Sequence, residues 1–268
     1  MNQLNWEDVS RQVQDLAVTV GRMQLANLGR DDLKIDTKST GIDLVTEIDK
    51  QSEAMILQFL RQHYPEHGII AEESGETARD SDYLWIIDPL DGTTNYSQGL
   101  PVFAVSIALQ YQSETVIGIV YAPGVNQLFS AIKGQGAWLN GKRITVSRKT
   151  QLTDCVLATG FPYDVFTHQV NNLDYFGHFL VRTRAIRRLG AAAYDLACVA
   201  CGKFDGYWEM GLQPWDAAAG VLLIEEAGGK VTAFRHDRKL SLAAANPELC
   251  DTICAQLEQA AKPEQLTV

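Results

Sequence analysis

The sequence predicts a mixed protein with an N-terminal α+β half and a C-terminal α/β half. Three observations carry this. Two amphipathic helical periodicities precede Pro65, short apolar runs follow one another from residue 103 with turns between them, and beyond residue 154 helical segments alternate with short strands. The chain of 268 residues, 46% hydrophobic, can bury a core of one large domain or two, at about 100 to 200 residues each.

In residues 4–28, Trp6, Val9, Val13, Leu16, Val20 and Met23 recur at steps of three and four, the spacing of one helix face. A second helix is expected from about Asp49 to Gln62, with Met55, Ile56, Phe59 and Leu60 on one face and Pro65 ending it. The runs HGIIAEES, YLWIID, FAVSIALQY, TVIGIVYAP, QLFSAIKG and AWLN read as strands, those from residue 103 onward forming an antiparallel meander. Asn140 and Gly141 supply a two-residue hairpin turn before KRITV. Polar SRKTQLTD, residues 147–154, marks the boundary between halves 1–147 and 148–268. Helices are then expected around 166–181, 190–202 and 215–227, with strands near 184–188, 204–208 and 230–233.

The formal charge, 23 minus 33 or −10, opposes non-specific adhesion to nucleic acid, whose phosphates would meet a like-charged surface. No apolar stretch approaches the roughly 18 to 20 residues of a membrane span, and the N-terminus shows no basic region followed by an apolar one, so cytoplasmic location is the default expectation. Five cysteines without a secretion signal argue for reduced thiols. Cys198 and Cys201 lie one helical turn apart in an alanine-rich run, as do Cys250 and Cys254 further on, and both pairs read as helix packing. His63 and His67 read as surface-turn residues.

The most informative segment is WIIDPLDGTTN, residues 85–95. An apolar strand stops on Asp88, and Asp91, Gly92, Thr93 and Thr94 follow. Carboxylates at a strand end can hold divalent cations, and the free N–H groups after them can hold a phosphate. An Asx-type turn closing a buried strand is the conformational alternative. The spacing of three with Pro89 between excludes an EF-hand loop, which alternates its acids, and it does not supply the two-apart acids of an aspartyl-nucleophile phosphatase. No lysine or arginine lies between Gly68 and Arg79 or between Asp80 and Lys133, so metal ions are the expected bridge between acids and phosphate. Glu72 and Glu73 also sit at a strand end. Asp49 and Asp216 each stand at a helix start, where a simple N-cap is the alternative reading.

Taken together, DLVTEID at 43–49, AEES at 71–74, WIIDPLDGTTN at 85–95, GAWLNG at 136–141 and WEMGLQPWDAAAGVLLIEEAGG at 208–229 resemble the inositol monophosphatase family in order and spacing. GAAAYDL at 190–196 is similar to bacterial members. The resemblance implies a layered αβαβα sandwich of the inositol monophosphatase and fructose bisphosphatase type, a homodimer, and an active site between the halves, with most metal ligands in the first half and Asp216 and Glu209 in the second. Glu72, Asp88 and the carbonyl of Leu90 would hold a first Mg²⁺, and Asp88, Asp91 and Asp216 a second. A third, weaker ion would lie near Glu72 with Asp49 close by, which makes roughly two to three ions of a metal that prefers hard oxygen ligands.

The resemblance also implies hydrolysis of a phosphate monoester by direct attack of metal-activated water, without a phosphoenzyme. Glu72, Thr93 and Asp49 would be the catalytic group, Thr93 orienting the water through a hydrogen bond to Asp49. The N–H groups of Gly92, Thr93 and Thr94 would stabilise the phosphate, a water held near Asp216 would help the departing alkoxide, Asp91 would be a further substrate-binding residue, and Glu209 would accept ring hydroxyls in a pocket lined by Gly190, Ala191 and Ala192. Lys38 matches a family lysine near the entrance and reads as a solvated loop charge. The leading substrate is myo-inositol 1-phosphate in a lithium-sensitive reaction. Fructose 1,6-bisphosphate, histidinol phosphate and adenosine 3′,5′-bisphosphate are alternatives, as is a regulatory role in contact with the transcription machinery. Arg182, Arg184, Arg187 and Arg188 could serve a bisphosphate but read as strand-edge charge or a subunit contact.

Overall fold

The computed structural model describes residues 4–38, 41–77 and 81–261; the extreme ends of the two expected halves, and Arg79 and Asp80, lie outside them. Helix α1 (Trp6–Asn27) is followed by strands β1 (Ile35–Thr37) and β2 (Leu44–Thr46), helix α2 (Glu47–His63), and strands β3 (Gly68–Ala71), β4 (Gly75–Thr77) and β5 (Tyr83–Asp91). After the short helix α3 (Thr93–Ser97) come β6 (Ala104–Tyr111), β7 (Glu114–Ala122), β8 (Gln127–Ile132), β9 (Gly136–Leu139) and β10 (Lys142–Arg143). The second half runs β11 (Val156–Thr159), α4 (Leu173–Leu180), β12 (Ala185–Arg187), α5 (Ala192–Ala200), β13 (Gly206–Leu212), α6 (Pro214–Glu226), β14 (Lys230–Arg235), β15 (Leu240–Ala245) and α7 (Pro247–Ala261).

The strands form an eight-stranded sheet in the order β10-β9-β8-β7-β6-β5-β3-β4 and a five-stranded sheet in the order β12-β11-β13-β15-β14, with β1 and β2 pairing apart. Every pairing from β5 through β10 is antiparallel, the expected meander, while β3 runs parallel to β5. Asn140 and Gly141 make the turn between β9 and β10 with φ of 48° and 75°, the left-handed values that a type I′ hairpin demands.

Alternation along the strands builds the layers. Trp85, Ile87, Val105, Ile107, Leu109, Ile117 and Ile119 face α1 and α2, and bury Val9, Val13, Val20, Ile56 and Leu60. The opposite face, with Ile86, Ala104, Ala108, Val120 and Phe129, packs against Leu196, Val199, Leu222 and Leu223 of α5 and α6. Those two helices also meet Ala158, Tyr207, Leu242 and Ala244 of the second sheet, whose far face packs on α4 and α7 through Trp208, Met210, Phe179, Leu249 and Ile253. The result is an αβαβα sandwich. Helix α5 is buried at every position from Ala193 to Ala200, as a central layer requires. Close approach is built in at Gly118 on β7, where a Cβ would stand 2.8 Å from the Ala219 carbonyl oxygen of α6.

Several expectations change in detail. The helix expected over 166–181 is only Leu173–Leu180, because Asn172, at φ 77°, spends its amide on Thr159 Oγ1 and the Gly160 carbonyl and holds the preceding segment in turns. β5 does not stop on Asp88 but continues to Asp91 through a register shift that accommodates Pro89. KRITV pairs only at Lys142 and Arg143. Asp49 and Asp216 are not N-caps: Thr46 and Gln213 are, and each aspartate sits three residues on, accepting from the cap's backbone N–H. His67 is no surface-turn residue. It stacks on Tyr64 and Tyr83 and accepts from Trp85 Nε1 at 3.0 Å, and burial pushes its imidazole down to about 4. All five cysteines are free, with Cys198 inside α5 and Cys250 buried in α7. Among the described residues no helix is long and apolar enough to cross a membrane.

Candidate active site

The end of β5 opens into a cavity of about 560 Å³ between the two sheets. Pro89 cannot donate to a ladder, so the strand bulges there, and the Pro89 carbonyl accepts instead from Gln24 Nε2 of α1 at 2.8 Å. Asp88 caps its own turn by accepting the Leu90 N–H at 3.0 Å. Gly92 follows at φ 94° and starts α3; a Cβ there would stand 3.0 Å from the Val102 carbonyl oxygen and 3.2 Å from Ala191 Cβ, so glycine is needed for both conformation and space.

Thr93 Oγ1 donates to Asp49 Oδ1 at 2.7 Å and lies 3.2 Å from the Leu90 carbonyl oxygen. Asp49 is fully buried behind it, with its other oxygen taken by the Thr46 N–H and hydroxyl at 2.9 and 2.5 Å. Burial raises the Asp49 carboxyl. Asp91 turns to the second half: its oxygens accept the N–H groups of Ala192 at 3.0 Å, Ala193 at 2.8 Å and Tyr194 at 3.3 Å, so a residue of β5 caps α5 from 101 positions away. Gln213 donates its N–H to Asp216 at 2.7 Å and thereby fixes that carboxylate at the head of α6.

Burial first, and repulsion among the acids second, shape the electrostatics. Asp88 is raised well above the ordinary carboxylate range by burial and by Glu72, Asp91 and Asp216 around it. Burial holds Asp91 up at about 7 and Asp216 at about 8. Among the described residues no three acids, histidines or thiols converge into a finished ligand set, since Glu72 is turned toward Lys38 and Asp91 toward α5. The donor chemistry nevertheless fits hard divalent cations: Glu72, Asp88, Asp91, Asp216 and Leu90 are among the residues that line one cavity, and positive charge would relieve the repulsion among those acids.

Lys38 is not a solvated loop charge. It is half-buried and bonds Glu72 at 2.8 Å and Glu73 at 2.5 Å. The expectation of a site far from any cation is likewise corrected, because Arg188, Arg238 and Lys239 line the cavity from segments remote in sequence. Of the arginine stretch, Arg188 reaches the cavity, while Arg184 pairs with Asp154 and Arg182 donates to the His178 carbonyl at the surface. Gly190, Ala191 and Ala192 line the cavity wall, whereas Thr94 is exposed and does not. Glu209 stands mid-strand on β13, faces the cavity, accepts the Tyr207 hydroxyl at 2.5 Å, and is raised by burial to about 7.

Asp43, Tyr163 and Asp195 also line this cavity and were missed in the sequence. Asp43 and Asp195 stand inside the DLVTEID and GAAAYDL blocks without having been given a role, Asp195 as an acid within an otherwise apolar run.

A sequence profile of the inositol monophosphatase family matches residues 5–262. Nus factor SuhB of Escherichia coli is 46% identical over 220 residues, covering 80% of this chain and 82% of that protein. The inositol-1-monophosphatase of Synechocystis is 46% identical over 202 residues, covering 75% and 70%. The crystal structure of the suhB protein from Bartonella henselae superposes with a TM-score of 0.89 at 37% identity, covering 94% of this chain and 99% of that one. Fold and site therefore define a phosphatase of the layered, metal-dependent class. The chain belongs to the inositol monophosphatase family.

Proposed function

We propose that the protein is a Mg²⁺-dependent phosphatase whose substrate is myo-inositol 1-phosphate. The observation that carries the reading is the buried Asp88 surrounded by Glu72, Asp91 and Asp216, an acid group that divalent ions would neutralise and that would otherwise repel a phosphate. Glu72, Asp88, Asp91, Asp216 and the Leu90 carbonyl would hold roughly two to three ions, which when bound would supply charge neutralisation and a more acidic water. The chain's own part begins at Thr93. Its hydroxyl proton is committed to Asp49, so its oxygen presents a lone pair that accepts a proton of the attacking water. Asp49, locked by Thr46, keeps that hydroxyl from rotating.

The N–H groups of the turn at Gly92 and Thr93, which line the cavity, and that of Thr94 beside them would stabilise charge on the phosphate oxygens. Glu209, held by Tyr207, would accept ring hydroxyls between Gly190, Ala191 and Ala192. The experiment is a panel of phosphate esters assayed with Mg²⁺ and after exhaustive EDTA treatment. Turnover that survives chelation would sink the reading.

Two other readings have specific support. Arg188 and Lys239 at the cavity suit a second anionic group, so fructose 1,6-bisphosphate or adenosine 3′,5′-bisphosphate belongs in the panel beside histidinol phosphate. The name Nus factor borne by relatives supports a regulatory binding role beside catalysis, tested by a pull-down from native extract with wild type and the Asp88→Asn variant. Exposed Leu180 and Val181 at the end of α4 support a homodimer, which sedimentation would check.

A further inference from the structure

We propose that Asp195 is a second acceptor for substrate hydroxyls, acting beside Glu209, so that the cavity selects esters carrying at least two hydroxyl donors on the side away from the phosphate. The substrate's placement rests on the phosphatase reading above; the binding test below does not. Asp195 sits on α5, is 1% exposed, and contributes to the cavity lining. Its Oδ1 is buried without a hydrogen-bond partner, and among the described residues no donor reaches either carboxylate oxygen. A buried carboxylate without donors is costly, and packing alone gives no reason for it on a helix whose other buried positions are Ala, Tyr, Leu, Cys and Val. The missing donors are therefore expected from what enters the cavity.

The surroundings decide which donors. Burial raises the Asp195 carboxyl well above the ordinary carboxylate range, the acids Glu209 and Asp91 add to this, and Arg188 opposes it without bonding to Asp195. Two neighbouring carboxylates repel a phosphate or a carboxylate, so the part of the ligand that meets them is not an anion. Hydroxyl groups supply donors without charge and can be shared between two acceptors. Glu209 has already committed Oε2 to the Tyr207 hydroxyl, which leaves Oε1 as its free acceptor. Asp195 adds a second reading point, and a pair of acceptors discriminates a polyol from a simple alkyl or aryl ester better than one does.

The test compares wild type with Asp195→Asn, which keeps the side-chain shape. Calorimetry with Mg²⁺ measures binding of myo-inositol and of inorganic phosphate, and kinetics compares inositol 1-phosphate with p-nitrophenyl phosphate, which has no hydroxyl. The variant should lose about tenfold in myo-inositol affinity and in kcat/KM for inositol 1-phosphate, ~1.4 kcal/mol, with phosphate affinity and the aryl ester changed by less than about twofold. An equal fall for both esters, or myo-inositol binding that is absent in wild type or unchanged in the variant, overturns the proposal. If neither ester is hydrolysed by wild type, the phosphatase reading fails while calorimetry still judges Asp195. Should Asp195→Asn not fold, Asp195→Ser offers the same comparison with a smaller acceptor.

Discussion

Substituting Gly160→Ala moves Glu209 without altering it. A Cβ at Gly160 would stand 2.2 Å from Glu209 Oε1 and 2.3 Å from Cδ and Oε2, where an ordinary contact begins at 3.4 Å. Gly160 is not among the residues with positive φ, so the backbone accepts alanine, and the obstructing atoms are the end of a side chain. The carboxylate must therefore retreat by about 1 Å, which breaks its bond to the Tyr207 hydroxyl in a buried site. Leaving that hydroxyl unpaired costs about 1 to 2 kcal/mol, or about 3 to 6 °C in Tm for a chain of this size. The larger effect falls on selectivity. A displaced charge-assisted bond of about 1.5 to 3 kcal/mol lowers kcat/KM for inositol 1-phosphate by about ten- to hundredfold, with a smaller loss for glycerol 2-phosphate. Parallel kinetics on the two esters, with thermal melts, reads both quantities. A ratio of kcat/KM that stays constant refutes the assignment of Glu209 to the substrate.

Glu209→Gln should shift the same ratio in the same direction without the loss in Tm, and an equal fall on both substrates would mean that Glu209 merely supports the acid cluster. Asp88→Asn should leave circular dichroism unchanged and reduce kcat to under about a tenth of wild type; a retained rate above that, a barrier change under ~1.4 kcal/mol, would remove Asp88 from its proposed role on both ions. Burial places Asp91 at about 7 and Asp216 at about 8 against an ordinary value of 3.8, so folding favours their protonated forms. Their contribution to stability is whole below about pH 4 and is lost as pH rises through roughly 7 to 8. Protein freed of metal should therefore melt lower at about pH 8.5 than at about pH 6, and saturating Mg²⁺ should flatten that slope. A metal-free Tm that climbs across this window refutes the electrostatic account.

What could be read from the sequence was carried by short contiguous patterns. The helix periodicities before Pro65, the strands of the meander and the Asn140–Gly141 turn depend on neighbours within a few residues, and the structure has them. The block from Trp85 to Asn95 was readable as a strand opening into a turn, because the Asp88 turn and the Gly92 conformation are local matters, but not in its continuation through the bulge at Pro89, which depends on pairing with β6. Partnerships across the chain were not. Lys38 meets Glu72 and Glu73 over 34 and 35 positions, and Arg188 reaches the cavity only because β12 delivers it there. The helix expected from residue 166 failed for a similar reason. Its first turns are displaced by Asn172, whose amide serves Thr159 and Gly160 and whose oxygen accepts from Trp208 Nε1, contacts that no local periodicity encodes.

The bond between Asp91 and the first N–H groups of α5 makes the tip of β5 a splice between the two sheets. One carboxylate is asked both to seat a helix of the second half and to face the cavity in which that helix also places Ala191, Ala192 and Asp195. On the proposed function, an ion that drew charge from Asp91 would weaken its bonds to the α5 N–H groups, so the wall proposed to take the alcohol part of a ligand would respond to the floor proposed to take its phosphate. Occupancy at one end of the cavity would then be felt at the other through a single side chain.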